Sequence, residues 1–516
     1  MIDRRRLRAP LDHRGILIEP AGPELRAALE RNSAAGADRV RILDTTVGSL
    51  RESLRRTLEL EGPLVLSGHQ AEFFHAGVFA KTVVTEALAR RVGGRAVFLT
   101  VDSDVVKNDR LAVPQITTGG LRRVEVATPG VRTAFPRESQ PRVSREHWLE
   151  FFTRVASLLD HYDQSLLRAF SDGWLDTDET SLDFCDAMAR GRAATEQALG
   201  VRDVHEIRMS RLCETQVFRA FAAHLLLHAE RFARDYNAAQ QAFRSRHRIR
   251  VTNRPVPPLA TRDGRIELPF WIGQPGEPRR RLFVHPRGDA LELLAGDDAV
   301  GALLRPRLER FKTHEQPWEL QSEGWQLRPR ALALSGFARL LLADLFIHGI
   351  GGAKYDEMTE DFTARFFGER PRPMGCVTAT LRLPLPTHGV SRDQIIAARR
   401  QSRDIVYNPQ RYLPDAPADL LQQRAELIRQ ATELRAARSS DRAKRRTLFN
   451  ETRRSNALLL QSDPWRAAEL GRQLQTLEEQ WRIDHVARDR EYFYALHVTG
   501  TMAELADALR SNLENN

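Results

Sequence analysis

Pro63-Leu64-Val65-Leu66, Ser67-Gly68-His69-Gln70, the run Ala76 to Arg91 and Ala96-Val97-Phe98-Leu99-Thr100-Val101 decide the fold. The first four residues form an apolar run too short for a helix, and Ser67-Gly68 is expected to end it as a buried strand. Ala76 to Arg91 places Val78, Phe79, Val83 and Leu88 on one helical side, and Gly93-Gly94 closes it. Ala96 to Val101 is a second buried strand. A strand, loop, helix and strand within about 40 residues is the pattern of a parallel βαβ crossover. Ligands on such sheets bind beyond the carboxyl ends of the strands. Those ends carry Gly68-His69-Gln70 and Asp102-Ser103-Asp104.

Working outward, residues 110–135 read as short strands and turns, and residues 145–235 as largely helical. Leu268 to Ile272 and Arg281 to Val284 read as paired strands. Ala331 to Ile347 is apolar but interrupted by Arg339 and Asp344, so a buried core helix is expected there rather than a membrane span. A helix closing at Gly368 and a strand over Ala379 to Leu383 follow. From Ser391 to Tyr494 the chain is helical and rich in Arg, Gln and Glu. Leu420, Leu427, Ala431 and Leu434 suggest one coiled-coil arm; Leu470, Leu474, Leu477 and Trp481 suggest a second, antiparallel one. Ser439-Ser440 and Asp463-Pro464 interrupt the pattern.

The 516 residues exceed one ordinary core, and 42% hydrophobic with 28% charged residues is a globular composition. Three distant cysteines, Cys185, Cys213 and Cys376, disfavour a disulfide framework or zinc ribbon, so a cytoplasmic protein is expected. No apolar run follows the basic N-terminus, so neither a secretory signal nor a membrane partner is expected. The net charge of +10 comes from 78 basic and 68 acidic residues dispersed along the chain, with one compact cluster at Arg442 to Arg446. No nucleic-acid-binding signature accompanies it, so nucleic acid is not the expected partner, and a nucleic-acid-associated protein acting through the Arg-rich arm is the weakest of the readings. Only five of the 78 basic residues are lysines: Lys81, Lys107, Lys312, Lys354 and Lys444. A lysine kept where arginine is otherwise preferred suggests a need for its tunable ammonium.

Three segments could carry chemistry. Gly68-His69-Gln70 with His75-Ala76-Gly77 combines a close backbone approach with the opening of a helix, a place for an anion. His75-Ala76-Gly77 also matches the first three residues of the His-x-Gly-His signature of nucleotidyl-transferring enzymes, with Val78 in place of the last. Asp102-Ser103-Asp104, with Lys107 beyond, could orient an amine, a metal or a ribose, or serve as a turn cap. His348-Gly349-Ile350-Gly351-Gly352, before Lys354 and Tyr355, reads as a glycine-rich turn able to cradle an anion, though it is no Walker P-loop. His224 and His228 have helical i, i+4 spacing but lack the glutamate of a metalloprotease helix, so no metal site is assigned.

In this order the segments resemble the bacillithiol-biosynthesis cysteine-adding enzymes. That family has a Gly-Gln-Gln-Ala-Gly-Leu-Phe type motif, then Glu-Asp-His-Asp, then Gly-Gly-Pro-Gly-Glu-x-x-Tyr. Gly68-His69-Gln70-Ala71-Glu72-Phe73-Phe74, Val101-Asp102-Ser103-Asp104 and His348-Gly349-Ile350-Gly351-Gly352-Ala353-Lys354-Tyr355 are similar to the three. This chain departs at Val101 and Ser103, at His69, and at His348, Ile350 and Gly352, as a divergent relative. The resemblance implies an α/β, Rossmann-like parallel-sheet core (nucleotidylyltransferase-like) with an inserted α+β region and a C-terminal helical coiled-coil arm. The expected boundaries are 1–135 and 326–390 for the core and 136–325 for the insertion. The arm would span 391–490, and 491–516 would pack back on the core.

The expected function is a ligase forming an amide-type bond, with an amino acid or amino-sugar conjugate as small-molecule substrate. A nucleotide is the candidate cofactor. Catalysis would fall to Asp102, Asp104, His69 and Lys354. Substrate binding would fall to Gly68, Gln70, Phe74, His75, Gly77, Lys81, Lys107, His348, Gly349, Gly351 and Tyr355. The alternative is a non-catalytic nucleotide- or metabolite-binding protein that dimerises through its coiled coil; a homodimer is the expected assembly.

Overall fold

The structure is a computed structural model that describes residues 4, 6–33, 39–159, 162–251, 256–309, 324–437 and 441–515. Lys312 and Ser439-Ser440 lie outside them. The chain divides into two compact units: Met1–Val113, Val124–Leu383 and Arg490–Asn516 form the first, Pro114–Arg123 and Pro384–Asp489 the second.

The first unit is built on strands β1 (Gly15–Glu19), β2 (Leu64–Gln70), β3 (Arg95–Val101) and β4 (Val204–Arg208). Helix α1 (Ala76–Arg91) connects β2 to β3 as a parallel crossover. After β4 come α2 (Gln216–Leu227) and α3 (Ala229–His247). An antiparallel sheet follows, comprising β5 (Arg265–Gly273), β6 (Arg280–Arg287), β7 (Ala290–Ala295), β8 (Asp298–Leu304) and β9 (Gln326–Pro329), which pairs back with β5. The chain then returns to the first sheet through β10 (Leu345–His348), α4 (Ile350–Phe367) and β11 (Met374–Thr380).

The six strands of the first sheet lie in the order β1-β11-β10-β2-β3-β4, with β1 antiparallel and the other five parallel. Taken in chain order, the parallel strands are arranged 3-2-1-4-5 from β4 to β11, the doubly wound, Rossmann-like arrangement. The strand order reverses between β2 and β10, where a crevice opens at the carboxyl ends. Its edge strand β4 comes from within residues 136–325, so the sheet also draws on that region.

β2 does not stop at Ser67-Gly68 but pairs with β3 through Gln70, with Gly68 opposite Leu99. Gly68 allows this because a Cβ there would run into the Leu99 carbonyl oxygen. Helix α1 is buried all round rather than on one side, including Lys81 and Glu86, because it is enclosed by the sheet and the helix Thr499–Asn515. The apolar run Ala331 to Ile347 is not one helix. A helix at Ala331–Phe337 passes into a π-helical turn at Ala338–Leu342, and Leu345 onward is the central strand β10. The two charges that interrupt this run hold the change of direction. Asp344 accepts from Arg51, Arg55 and the Leu64 N–H, and Arg339 pairs with Asp356. The last parallel strand ends at Thr380, so Ala379 to Leu383 is strand only at its start.

The second unit carries α5 (Arg392–Tyr407), α6 (Ala418–Ala436), α7 (Arg442–Ser462) and α8 (Pro464–Ala487). Ser391 and Gln394 form a capping box that starts α5. The expected two-arm seam is replaced by two helix pairs: α6 packs against α7, and α5 against α8. Arg424 explains the pairing of α6. It is buried where a coiled coil would place an apolar residue and donates to Asn456 of α7. No helix among the described residues is long and apolar enough to cross a membrane.

Candidate functional site

At the strand-order reversal lies a cavity of about 770 Å³, within the size range of small-molecule sites. β2 contributes Gly68, His69 and Gln70 to its wall, α1 contributes Gly77 and Lys81, and the end of β10 contributes His348 and Gly349. Asp104, Lys107, His75 and Gly351 also line it. Eleven residues singled out in the sequence are therefore brought together; Asp102, Phe74, Lys354 and Tyr355 are not among the lining.

Each of these four has a physical reason for its place. The Asp102 carboxylate is buried and fully engaged, accepting from Arg208 Nε at 2.8 Å, the Ser210 N–H at 2.9 Å and the Ser210 hydroxyl. It anchors β4 to β3 instead of meeting a ligand. Phe74 stacks on Tyr494 and Phe98 in an aromatic core. Tyr355 is solvent-exposed on α4. Lys354 sits half-buried on the same helix, where burial first and the Arg8 guanidinium second lower its pKa.

The expected glycine-rich turn is helix. α4 begins at Ile350, straight after Gly349, so Gly351 and Gly352 belong to its first turn. Anion-binding capacity survives in another form. The amides of Ile350, Gly351 and Gly352 have no helix carbonyl to donate to, and all three residues face the cavity. α1 differs at its start: His75 caps it, with Nδ1 accepting the Gly77 N–H at 3.0 Å, while Nε2 lies 3.2 Å from Glu491.

Lys81 is the distinctive group. It is 3% exposed, its Nζ donates to the Gly68 carbonyl, and among the described residues no carboxylate pairs with it. Burial, with the Arg192 guanidinium, brings its pKa down to about 7. Burial also lowers His69 to about 3 and His75 to about 3, with nearby cations adding to it, so both imidazoles are neutral. Asp104 behaves differently. Burial pushes its pKa upward, but Arg279 and Lys107 outweigh that and hold the carboxyl below its usual value. Its two oxygens meet Arg279, Gln70 and Lys107, the last at 3.4 Å. His348 Nε2 lies 3.2 Å from the buried Asp356, which Arg339 also meets.

Sequence reasoning missed the residues brought in from far along the chain. Arg279 reaches the Ser103 carbonyl and Asp104 while lying over the Trp271 ring, 4.5 Å from its centroid. Arg330 and Tyr236 join them in the lining. Arg490 donates to Thr378 and Thr380, each at 3.1 Å, and lies beside Glu491. No local spacing announces these residues, since their approach depends on the fold of the second sheet and on the return of the chain at Arg490. Lys81, Lys107, Arg279, Arg330 and Arg490 line the cavity with two carboxylates, Asp104 and Glu491, and Arg330 is in addition paired with the buried Glu267. The arrangement suits an anion. His224 and His228 stand apart, their rings 4.8 Å between centroids, with His224 Nδ1 accepting the Leu43 N–H. Among the described residues no group of three His, Cys, Asp or Glu is placed to hold a metal ion. No protein-family model matches the chain, and no curated protein matches it.

Proposed function

We propose that this protein is a ligase-type enzyme that joins an amine to an anionic acyl substrate in the cavity between β2 and β10. Its fold would be a nucleotidylyltransferase-like variant of the doubly wound sheet, as the motif resemblance implies. The observation that carries the reading is a buried, carboxylate-free lysine in a cavity lined by four further basic side chains and two carboxylates. Such a cavity favours a ligand bearing carboxylate or phosphate, whose charge offsets the cations.

The roles divide by ionisation. Asp104, kept ionised by Arg279 and Lys107, would receive the incoming ammonium; Asp102 is committed to Arg208 and Ser210. A nucleophilic amine must first lose a proton. Lys81, neutral in good part near pH 7, accepts it and becomes an ammonium. The free amine then attacks an acyl phosphate: the carbon–nitrogen bond forms, the carbon–oxygen bond to phosphate breaks, and phosphate leaves with the bonding pair and takes up the second proton of the attacking nitrogen. Developing negative charge on the acyl oxygen meets the first-turn amides of α4, and the phosphate meets the cation set. A nucleoside triphosphate is the natural phosphoryl source. The non-catalytic reading draws on one observation, the sequestration of Asp102.

The test is a melting-temperature screen with phosphate, ATP, dicarboxylic amino acids and amino-sugar conjugates, followed by phosphate-release assays on the ligands that stabilise. At least one anionic ligand is expected to raise Tm, and amine-dependent phosphate release should follow. Stabilisation without turnover for any amine and acyl pair would establish the binding-protein reading instead.

A further inference from the structure

The charge of the chain is not shared evenly between the units. Pro114–Arg123 and Pro384–Asp489 carry 21 basic and 14 acidic residues, so the second unit holds +7 of the net +10. Four exposed arginines are neutralised locally: Arg429 by Glu426 and Glu433, Arg472 by Glu469, Arg399 by Glu478 and Arg411 by Asp404. The first half of α7 gathers the densest group of cations that are not. Arg442, Lys444, Arg445, Arg446, Arg453 and Arg454 are all exposed, and none pairs with a carboxylate of the described residues. Glu451 is the single acid among residues 442–454.

Helical geometry arranges part of this charge into a line. Arg442, Arg446, Phe449 and Arg453 stand at i, i+4, i+7 and i+11, one stripe about 16 Å long. The apolar face of α7, with Leu448 and Leu459, is buried elsewhere on the helix. Phe449 is thus no part of that buried face. It is 56% exposed, with the Arg453 guanidinium 5.9 Å from its ring centroid. An exposed ring set among cations offers a stacking face beside phosphate-binding charge.

We propose that this stripe of α7 binds single-stranded nucleic acid, its arginines meeting phosphates and Phe449 stacking on an unpaired base. The pattern separates this partner from others. A membrane-surface helix segregates an apolar face from a basic one, whereas here the apolar face is packed in the bundle and the ring is interleaved with the charges. A duplex would offer phosphates but no unstacked base for the ring. The site is separate from the cavity and does not depend on the reaction assigned to it.

The test uses the full chain and fluorescein-labelled 20-residue oligo(dT) and oligo(U), read by anisotropy across a salt series. Three phosphate contacts predict a slope of about −2 in log affinity against log salt. The triple variant Arg442→Ser, Arg446→Ser, Arg453→Ser should lower the magnitude of the slope by about 2, and Phe449→Ala should weaken binding about tenfold. All four positions are exposed, and circular dichroism melting checks that the variants fold as the parent does. Heparin and phosphatidylserine vesicles are the competing arms. Oligonucleotide binding that Phe449→Ala leaves unchanged, or that heparin matches, would overturn the proposal in favour of a general polyanion surface. Sedimentation with vesicles but no anisotropy change would overturn it in favour of a membrane surface.

Discussion

The two crossovers that flank the strand-order reversal look alike in sequence and behave differently in the structure. After β2, the segment Ala71 to His75 separates strand from helix, a side chain caps α1, and Lys81 enters the cavity. After β10 only Gly349 intervenes, no side chain caps α4, and Lys354 stays outside. One crossover therefore presents a side-chain amine and the other presents bare amides. A glycine followed by a lysine says that a helix start lies near; the phase of the helix decides whether the lysine reaches the ligand.

The largest test of this contrast exchanges the two lysines separately for methionine. Lys81→Met is expected to reduce turnover by about 10²- to 10⁴-fold, the scale of general base catalysis, while Lys354→Met leaves it within about twofold. The pH dependence sharpens the distinction. Activity should rise through about pH 7 as Lys81 loses its proton. Stability carries the matching sign. The folded pKa lies below the unfolded value of about 10.4, so between these limits the unfolded chain binds the additional proton and stability climbs with pH. Below about pH 7 the penalty for burying this amine is complete. Lys81→Met removes it, so Tm should increase at neutral pH even as activity is lost. Parallel loss of Tm and activity would make Lys81 a structural residue.

The same contrast holds at shorter range between Asp102 and Asp104. Asp102→Asn leaves Arg208 with a weakened buried partner and should cost roughly 3 kcal/mol in urea denaturation. Asp104→Asn, in a partly exposed set, should cost about 1 kcal/mol or less and act instead on the affinity for the amine. The reverse pattern would return the catalytic assignment to Asp102.

These pairs also define what the sequence could reveal. Local periodicity was enough for the β2–α1–β3 crossover, for the β5–β6 pairing and for the closure of α4 at Gly368, because each is decided by neighbours within a few residues. Gly68, His69, Gln70 and Asp104 were legible as a wall of the cavity because strand ends in a parallel sheet converge. Two kinds of feature were not. Helix-to-strand conversion within Ala331 to Ile347 depends on Asp344 meeting Arg51, Arg55 and Leu64, nearly 300 positions away. The opposite wall, with Arg279 and Arg330, depends on how the antiparallel sheet meets the parallel one. Asp102 lies off the cavity lining for a related reason: alternation along a strand end sends residues two apart to similar faces, but the chain turns after Val101 and Arg208 meets the first carboxylate.

The smallest test compares two glycines, one from each crossover. Gly68→Ala brings a methyl group against the Leu99 carbonyl in the paired register of β2 and β3, at a cost of about 1–3 kcal/mol. Gly351 lies in the first turn of α4 with open space where a methyl group would stand, so Gly351→Ala should stabilise by about 0.5 kcal/mol through the unfolded state. Gly351 nevertheless lines the cavity together with Ile350 and Gly352, whose amides have no helix carbonyl to meet. If an anion sits on those amides, Gly351→Ala raises Tm without ligand and reduces the further rise that ligand produces. If the ligand-induced shift is unchanged, the anion rests on the Lys81 side alone, and the two crossovers divide the work as amine and scaffold.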